Sequence, residues 1–335
     1  MEKKAPIVLF VFKRLETVKM ILDVIRKYEP DCIYVFSDGP RKNYIGESEA
    51  VQSVRDYLSS SIDWECEKYL YYSDYNKGCD KNIRDGLDDV FSKQENAIVF
   101  EDDAVPTMSF FSFCNELLTR YKDDERIQYI AGFNALGDLE LIKDGYTFGK
   151  TVPMNGAFAT WNNRWIECDF DMKQWPDNKK NKLLDNIFYY KELRKQYYKI
   201  YDEEYLRIMT AWDYQFEHDM LSKDRLAIVP KYNLVTSYGF TEGAFHPQKK
   251  GESLRFKKMM TANNNQEVLG LDFKPIVSRN DVYDKARQKR LLEIKGNWFE
   301  RRCIYAYRSV KDFLYNNLSE QTWNTIKRIV IHGKG

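Results

Sequence analysis

From residue 7 to residue 100 the chain alternates short unbroken apolar runs with longer stretches in which apolar residues recur every three or four positions. An unbroken run bounded by turn residues suits a strand buried on both faces, and the longer period suits a helix with one apolar stripe. Their alternation is that of βαβ units around a largely parallel sheet. Residues 7–12 form the first expected strand. Residues 17–28 place Val18, Ile21, Leu22 and Ile25 on one helical face, and Pro30 closes that helix before a second strand at 32–36 and a turn through Ser37, Asp38, Gly39 and Pro40. Helices at 47–59 and 79–91, strands at 67–72 and 97–100, and a helix at 109–120 complete the series.

Past an expected strand at 127–131 the periodicity loosens. Residues 132–175 are rich in Gly, Asn and Trp and read as loops shaping a site. Helices resume over about 180–221, a strand is expected at 226–229, and 237–251 is a loop rich in Gly and aromatic residues. From Lys285 onward, twelve Lys or Arg face four Asp or Glu among interleaved aromatic residues. This basic amphipathic pattern has two readings, a patch lying on an anionic membrane or a charged cap on the core.

Composition narrows the classes. With 335 residues, 43% hydrophobic and 31% charged, the chain can bury a large core. The 52 Lys and Arg balance 51 Asp and Glu, which gives no basic footprint for nucleic acid. No run reaches the roughly 18 apolar residues of a membrane span, and the apolar stretch at 7–12 lacks a signal-peptide cleavage pattern. A cytoplasmic protein is expected, with membrane contact only peripheral, through the basic tail. The six cysteines are scattered without the spacing of a disulfide framework or zinc site, and three histidines (His218, His246, His332) are too few for a zinc hydrolase.

The sharpest local signal is Glu101-Asp102-Asp103, three acids ending an apolar strand at the edge where open α/β sheets bind ligands. Adjacent carboxylates repel unless a cation sits among them. A hard divalent ion held by such oxygens, with the rest of its shell left to water and phosphate, neutralises a departing diphosphate. The structural alternative is a charged turn.

An apolar strand ending in acids, then Ala104-Val105-Pro106 and a Phe-rich helix (Phe110, Phe111, Phe113), resembles the GT-A glycosyltransferases, in particular the N-acetylglucosaminyltransferase I branch and related bacterial polysaccharide enzymes. The resemblance covers about residues 5–250. It implies a GT-A fold, α/β and Rossmann-like, with a mixed, mostly parallel sheet flanked by helices and a C-terminal helical extension. Residues 1–106 would be the nucleotide-sugar half, 107–275 the acceptor and catalytic half, and 276–335 the basic tail.

It further implies an inverting, Mn2+- or Mg2+-dependent transfer from a nucleotide-sugar, by resemblance a UDP-sugar, to a saccharide hydroxyl in capsule or lipopolysaccharide synthesis, where acceptors can be lipid-linked. Asp103 would be the metal ligand, with His246 as a second. Arg14, Asp38, Arg84, Glu101 and Asp102 would bind the donor, Asp38 through the uracil N3–H. Asp213, in a Trp-Asp motif, would be the general base with Glu217 one turn behind it in reserve. Trp161 and Trp212 would contact the acceptor. A sugar nucleotidyltransferase would share the layout but needs a glycine-rich loop after the first strand, and Lys13-Arg14-Leu15-Glu16-Thr17 has no glycine. A non-catalytic sugar-binding relative of the same fold would predict a broken acid motif, and this one is intact.

Overall fold

Ile7–Val11 (β1) is buried along its whole length, as an apolar strand with neighbours on both sides and layers on both faces must be. In the computed structural model, which describes residues 4–42, 44–136, 141–239, 271–272 and 274–294, β1 lies between β2 (Cys32–Ser37) and β4 (Asn96–Glu101), parallel to both. Two units are distinguished along the chain, Met1–Gln288 and Lys289–Gly335. The fold and site below belong to the first.

The main sheet has eight strands in the order β3-β2-β1-β4-β8-β6-β9-β7, where β3 is Glu67–Tyr72, β6 Ile127–Ala131, β7 Tyr146–Gly149, β8 Ala157–Trp161 and β9 Leu226–Pro230. Only β7 and β8 run against the other six. The expected α/β class with a mostly parallel sheet flanked by helices is therefore present, and strands on both sides of residue 106 share one sheet. The loops expected over 132–175 need correction, because β7 and β8 lie there. Strand β8 is inserted antiparallel between β4 and β6, with Phe100 opposite Ala157 and Ala131 opposite Phe158.

The helices pack where their stripes dictate. Helix α1 (Leu15–Tyr28) buries Val18, Ile21, Leu22 and Ile25, the face its sequence announces, while α2 (Glu47–Ser61) buries Val51, Val54 and Leu58. In α3 (Cys79–Phe91) Gly86 is required by packing, since a Cβ there would come within 2.6 Å of the Phe10 ring. In α4 (Met108–Arg120) Phe110, Phe111 and Phe113 are wholly buried, and Phe111 stacks on Tyr28 with centroids 4.2 Å apart. Truncating one such ring to Ala costs about 3–5 kcal/mol. Between β4 and α4 the short strand β5 (Ala104–Pro106) pairs antiparallel with β10 (Val235–Ser237), which fixes the chain as it leaves the acid motif.

Short helices α5 (Asn162–Ile166) and α6 (Trp175–Lys180) lead to α7 (Lys191–Tyr205) and α8 (Trp212–Ser222), which pack on each other. A last helix, α9 (Asp281–Ile294), buries Tyr283, Asp284, Arg287 and Gln288. Asp284 accepts hydrogen bonds from the Lys150 and Thr151 main chain and from Arg279, tying this segment to the end of β7. Most of the basic tail lies outside the described residues. No helix among those described is long and apolar enough to cross a membrane.

Candidate functional site

Because β1, β2 and β4 run parallel, the residues following them, Phe12 to Arg14, Asp38, and Glu101 to Asp103, gather at one edge of the sheet. Asp102 is the hub. The residue is 6% exposed, and its carboxylate accepts a hydrogen bond from the Phe12 main-chain N–H at 2.9 Å and another from the Arg14 guanidinium at 2.6 Å. Its carbonyl accepts the Thr17 hydroxyl at 2.5 Å. The same Arg14 nitrogen donates to Asp103 at 3.0 Å, so one cation bridges two of the three acids. Arg14 and Asp102 thus hold each other and join the ends of β1 and β4.

Asp103 is more open. Its Oδ2 meets Arg14, while Oδ1 faces Gly156, where a Cβ would lie 3.2 Å away. Gly239 leaves similar room on the other side, since a Cβ there would stand 2.8 Å from Oδ2. The Asp103 carbonyl accepts the Tyr238 N–H at 2.7 Å, and the Glu101 N–H donates to the Gly156 carbonyl at 2.8 Å, so the motif's backbone is fixed, while among the described residues no side chain pairs with Asp103 Oδ1.

The electrostatics of this edge are unfavourable to carboxylates. Burial, then the charges of Asp103, Asp213 and Asp102, push the Glu101 carboxyl well above the usual range, with Arg14 opposing. Asp103 is raised by burial and by Asp102, again against Arg14. Asp213 is raised by desolvation and by Asp80. Acids from three distant segments, 80, 101–103 and 213, therefore converge, and such a group favours either protons or a cation. Among the described residues no three His, Cys, Asp or Glu side chains are arranged to hold a metal by themselves. A divalent ion that shares its shell with phosphate and water needs only one or two carboxylates, and Asp103 Oδ1 suits that role. His246 lies outside the described residues.

Asp38 has a different environment from the one expected of a base-binding residue. Its two oxygens already accept four N–H groups, from Gly39 (2.8 Å), Asn76 (2.9 Å), Lys77 (2.7 Å) and Gly78 (3.0 Å). It clamps the Asn76-Lys77-Gly78 loop at the start of α3, with no oxygen left over for a uracil. Arg84, further along α3, lays its guanidinium on the Phe170 ring at 4.7 Å.

The two base candidates separate by burial. Asp213, in the first turn of α8, reaches solvent although the protein packed around it desolvates its carboxyl, whereas Glu217 one turn later is 7% exposed and accepts the Tyr201 hydroxyl at 3.1 Å. Burial pushes the Glu217 carboxyl up to about 7, with the charge of Arg287 and the Tyr201 bond opposing. The two acceptor tryptophans must be corrected. Trp161 is 3% exposed and its indole donates to the Leu118 carbonyl at 3.0 Å; Trp212 is 5% exposed and packs against Phe158 and Trp165. Neither offers an open ring face: the Trp161 ring is buried with its N–H bonded, and Trp212 is held among other aromatic rings.

Two further residues belong to the site. Asp80, in the first turn of α3, contributes charge to Asp213. Glu204, fully buried, accepts the Ala211 N–H at 3.1 Å and the Gln215 amide at 3.0 Å, and so sets the entry of α8 and the place of Asp213. An acid in a helix's first turn is ordinary, and nothing in the sequence distinguishes Glu204 from a surface residue of α7. No protein-family model matches the chain, and no curated protein matches it.

Proposed function

We propose that the chain is a GT-A-type glycosyltransferase that moves a sugar from a nucleoside diphosphate, a UDP-sugar by resemblance, to a saccharide hydroxyl with inversion. The observation that carries this reading is the convergence of Asp103, Glu101, Asp80 and Asp213 at the carboxyl edge of a mostly parallel sheet, with no side chain among the described residues paired to Asp103 Oδ1. Such an edge can bind a diphosphate only together with a cation.

Asp103 would hold that ion, and Arg14, bridging Asp102 and Asp103, keeps its carboxylate oriented. Mn2+ or Mg2+ bound there supplies charge neutralisation for the departing diphosphate. Asp38 contributes indirectly, by fixing the Asn76–Gly78 loop beside the donor. In the transfer the acceptor oxygen forms its bond to the anomeric carbon as the bond from that carbon to the diphosphate breaks. The electron pair leaves with the nucleotide, and the hydroxyl proton passes to Asp213. The raised proton affinity of Asp213 suits it to that task. Glu217, enclosed by Tyr201 and its neighbours, cannot reach an acceptor from where it stands and supports α8.

Calorimetric titration with UDP, GDP, CDP and ADP, each with manganese and with EDTA, tests the proposal. Manganese-dependent binding of UDP that disappears in Asp103→Asn is expected. Equal UDP affinity in that variant would remove the cation assignment, and no binding of any of the four nucleotides would remove the transferase reading.

A further inference from the structure

The end of α7 and the loop that joins it to the helix bearing Asp213 turn large apolar side chains into solvent. Tyr205 is 40% exposed, Leu206 62% and Ile208 71%. Single exposed apolar residues are common and need no partner, but three within four positions form a patch. The loop's shape is held in place. The Ile208 and Met209 N–H groups donate to the Glu203 carbonyl at 2.9 and 3.2 Å, and the Ala211 N–H is bound by Glu204. Arg207 adopts φ +57, a left-handed conformation unfavourable to a non-glycine residue, while its guanidinium donates to Asp171 at 2.7 Å and to the Phe170 carbonyl at 3.2 Å. Backbone and arginine thus fix Leu206 and Ile208 in their outward positions.

Cations flank the patch. On α7, Lys191, Lys195 and Lys199 follow at four-residue spacing, all exposed, and Leu206 falls on the same helical face. Lys199 pairs with Glu203 at 3.4 Å, and Asp202 on that face is taken by Lys179 at 2.8 Å. Across 171–209, nine Lys or Arg stand against six Asp or Glu once the buried Glu204 is set aside, so the layer is net positive. An apolar knuckle beside a lysine face matches the two requirements of an anionic lipid surface, apolar insertion at the headgroup boundary and charge attraction to the lipids.

We infer that the Tyr205–Ile208 knuckle and the Lys191–Lys199 face dock this protein on an anionic membrane surface. Ile208 lies five residues before Asp213, so docking here brings the site's mouth to acceptors anchored in that surface. The second clause rests on the transferase reading; the first does not.

Cosedimentation of the full chain with vesicles of phosphatidylglycerol and phosphatidylcholine, and of phosphatidylcholine alone, at low and high salt tests it. Binding to the anionic vesicles is expected to weaken with salt and to fall at least about tenfold in Leu206→Ser/Ile208→Ser and in Lys191→Glu/Lys195→Glu, with circular dichroism unchanged. Both variants partitioning like the parent would place any membrane contact elsewhere and overturn the inference, as would equal binding to the neutral vesicles. Self-association of the parent in sedimentation velocity that the variants abolish, without vesicle binding, would make a second copy the occupant instead. The vesicle assay needs no nucleotide. Docking without UDP binding would sink the transferase reading alone, and UDP binding without docking would sink the surface alone.

Discussion

Arg14 and Asp102, 88 positions apart, meet at 2.6 Å across the adjoining ends of β1 and β4. Asp102 is nearly buried and also holds the Phe12 N–H, so the pair acts as a latch between the two strands that form the floor of the site. Asp102→Asn keeps an acceptor for Phe12 but removes the charge that binds Arg14. A charge-assisted bond in this half-buried setting is worth about 1–2 kcal/mol. The urea midpoint is expected to fall accordingly with an unchanged m-value, and an unaltered midpoint would show the latch to be dispensable.

Asp213→Asn separates chemistry from binding. The amide cannot accept the acceptor proton, yet it preserves size and the main-chain contacts of α8. Sugar transfer is expected to fall by about 10²–10⁴-fold while manganese-dependent UDP affinity holds. Near-normal turnover would return the role of base to another carboxylate of the cluster.

Glu217 governs a dependence of stability on pH. Its carboxyl is raised from 4.5 to about 7 in the fold, so between those values the folded state holds a proton that the unfolded chain has released. Stability from this group is therefore greatest below pH 4.5 and declines as pH rises to about 7, by up to about 3 kcal/mol. Glu217→Gln carries no such proton. Denaturant titrations at pH 5 and pH 8 should show the parent losing more stability than the variant between the two, and parallel losses would contradict the burial argument.

The parallel half of the sheet was legible because its two periods separate cleanly: Val18, Ile21, Leu22 and Ile25 mark a helix face, and Ile7 to Val11 a strand buried on both sides. Strand β8 was not. Its residues Ala157-Phe158-Ala159-Thr160-Trp161 are all buried, so there is no polar alternation, and small residues between rings carry little β-signal. The acid motif was legible because three carboxylates ending an apolar strand conflict with local electrostatics. The tryptophans misled for the opposite reason: their acceptor role was implied by resemblance alone, and a ring's surroundings depend on long-range packing such as that of the Trp161 indole on the Leu118 carbonyl. Asp80 and Glu204 join the site only through tertiary contacts with α8.

Gly156 tests the space around Asp103. It sits at φ +74, and a Cβ there would meet Asp103 Oδ1 at 3.2 Å and the Ala104 Cβ at 3.3 Å. Alanine therefore carries two penalties, a backbone cost of about 1–2 kcal/mol for the left-handed conformation and crowding of the Asp103 oxygen proposed to hold a cation. Gly46 separates them. It too has positive φ, +76, but nothing lies within 4 Å of the place its Cβ would take. Gly46→Ala should lose the backbone cost alone and Gly156→Ala at least as much, while only Gly156→Ala should weaken manganese-dependent UDP binding, by about tenfold or more, equivalent to ~1.4 kcal/mol. Equal UDP affinity in the two variants would mean that the cation, if bound, approaches Asp103 from another side.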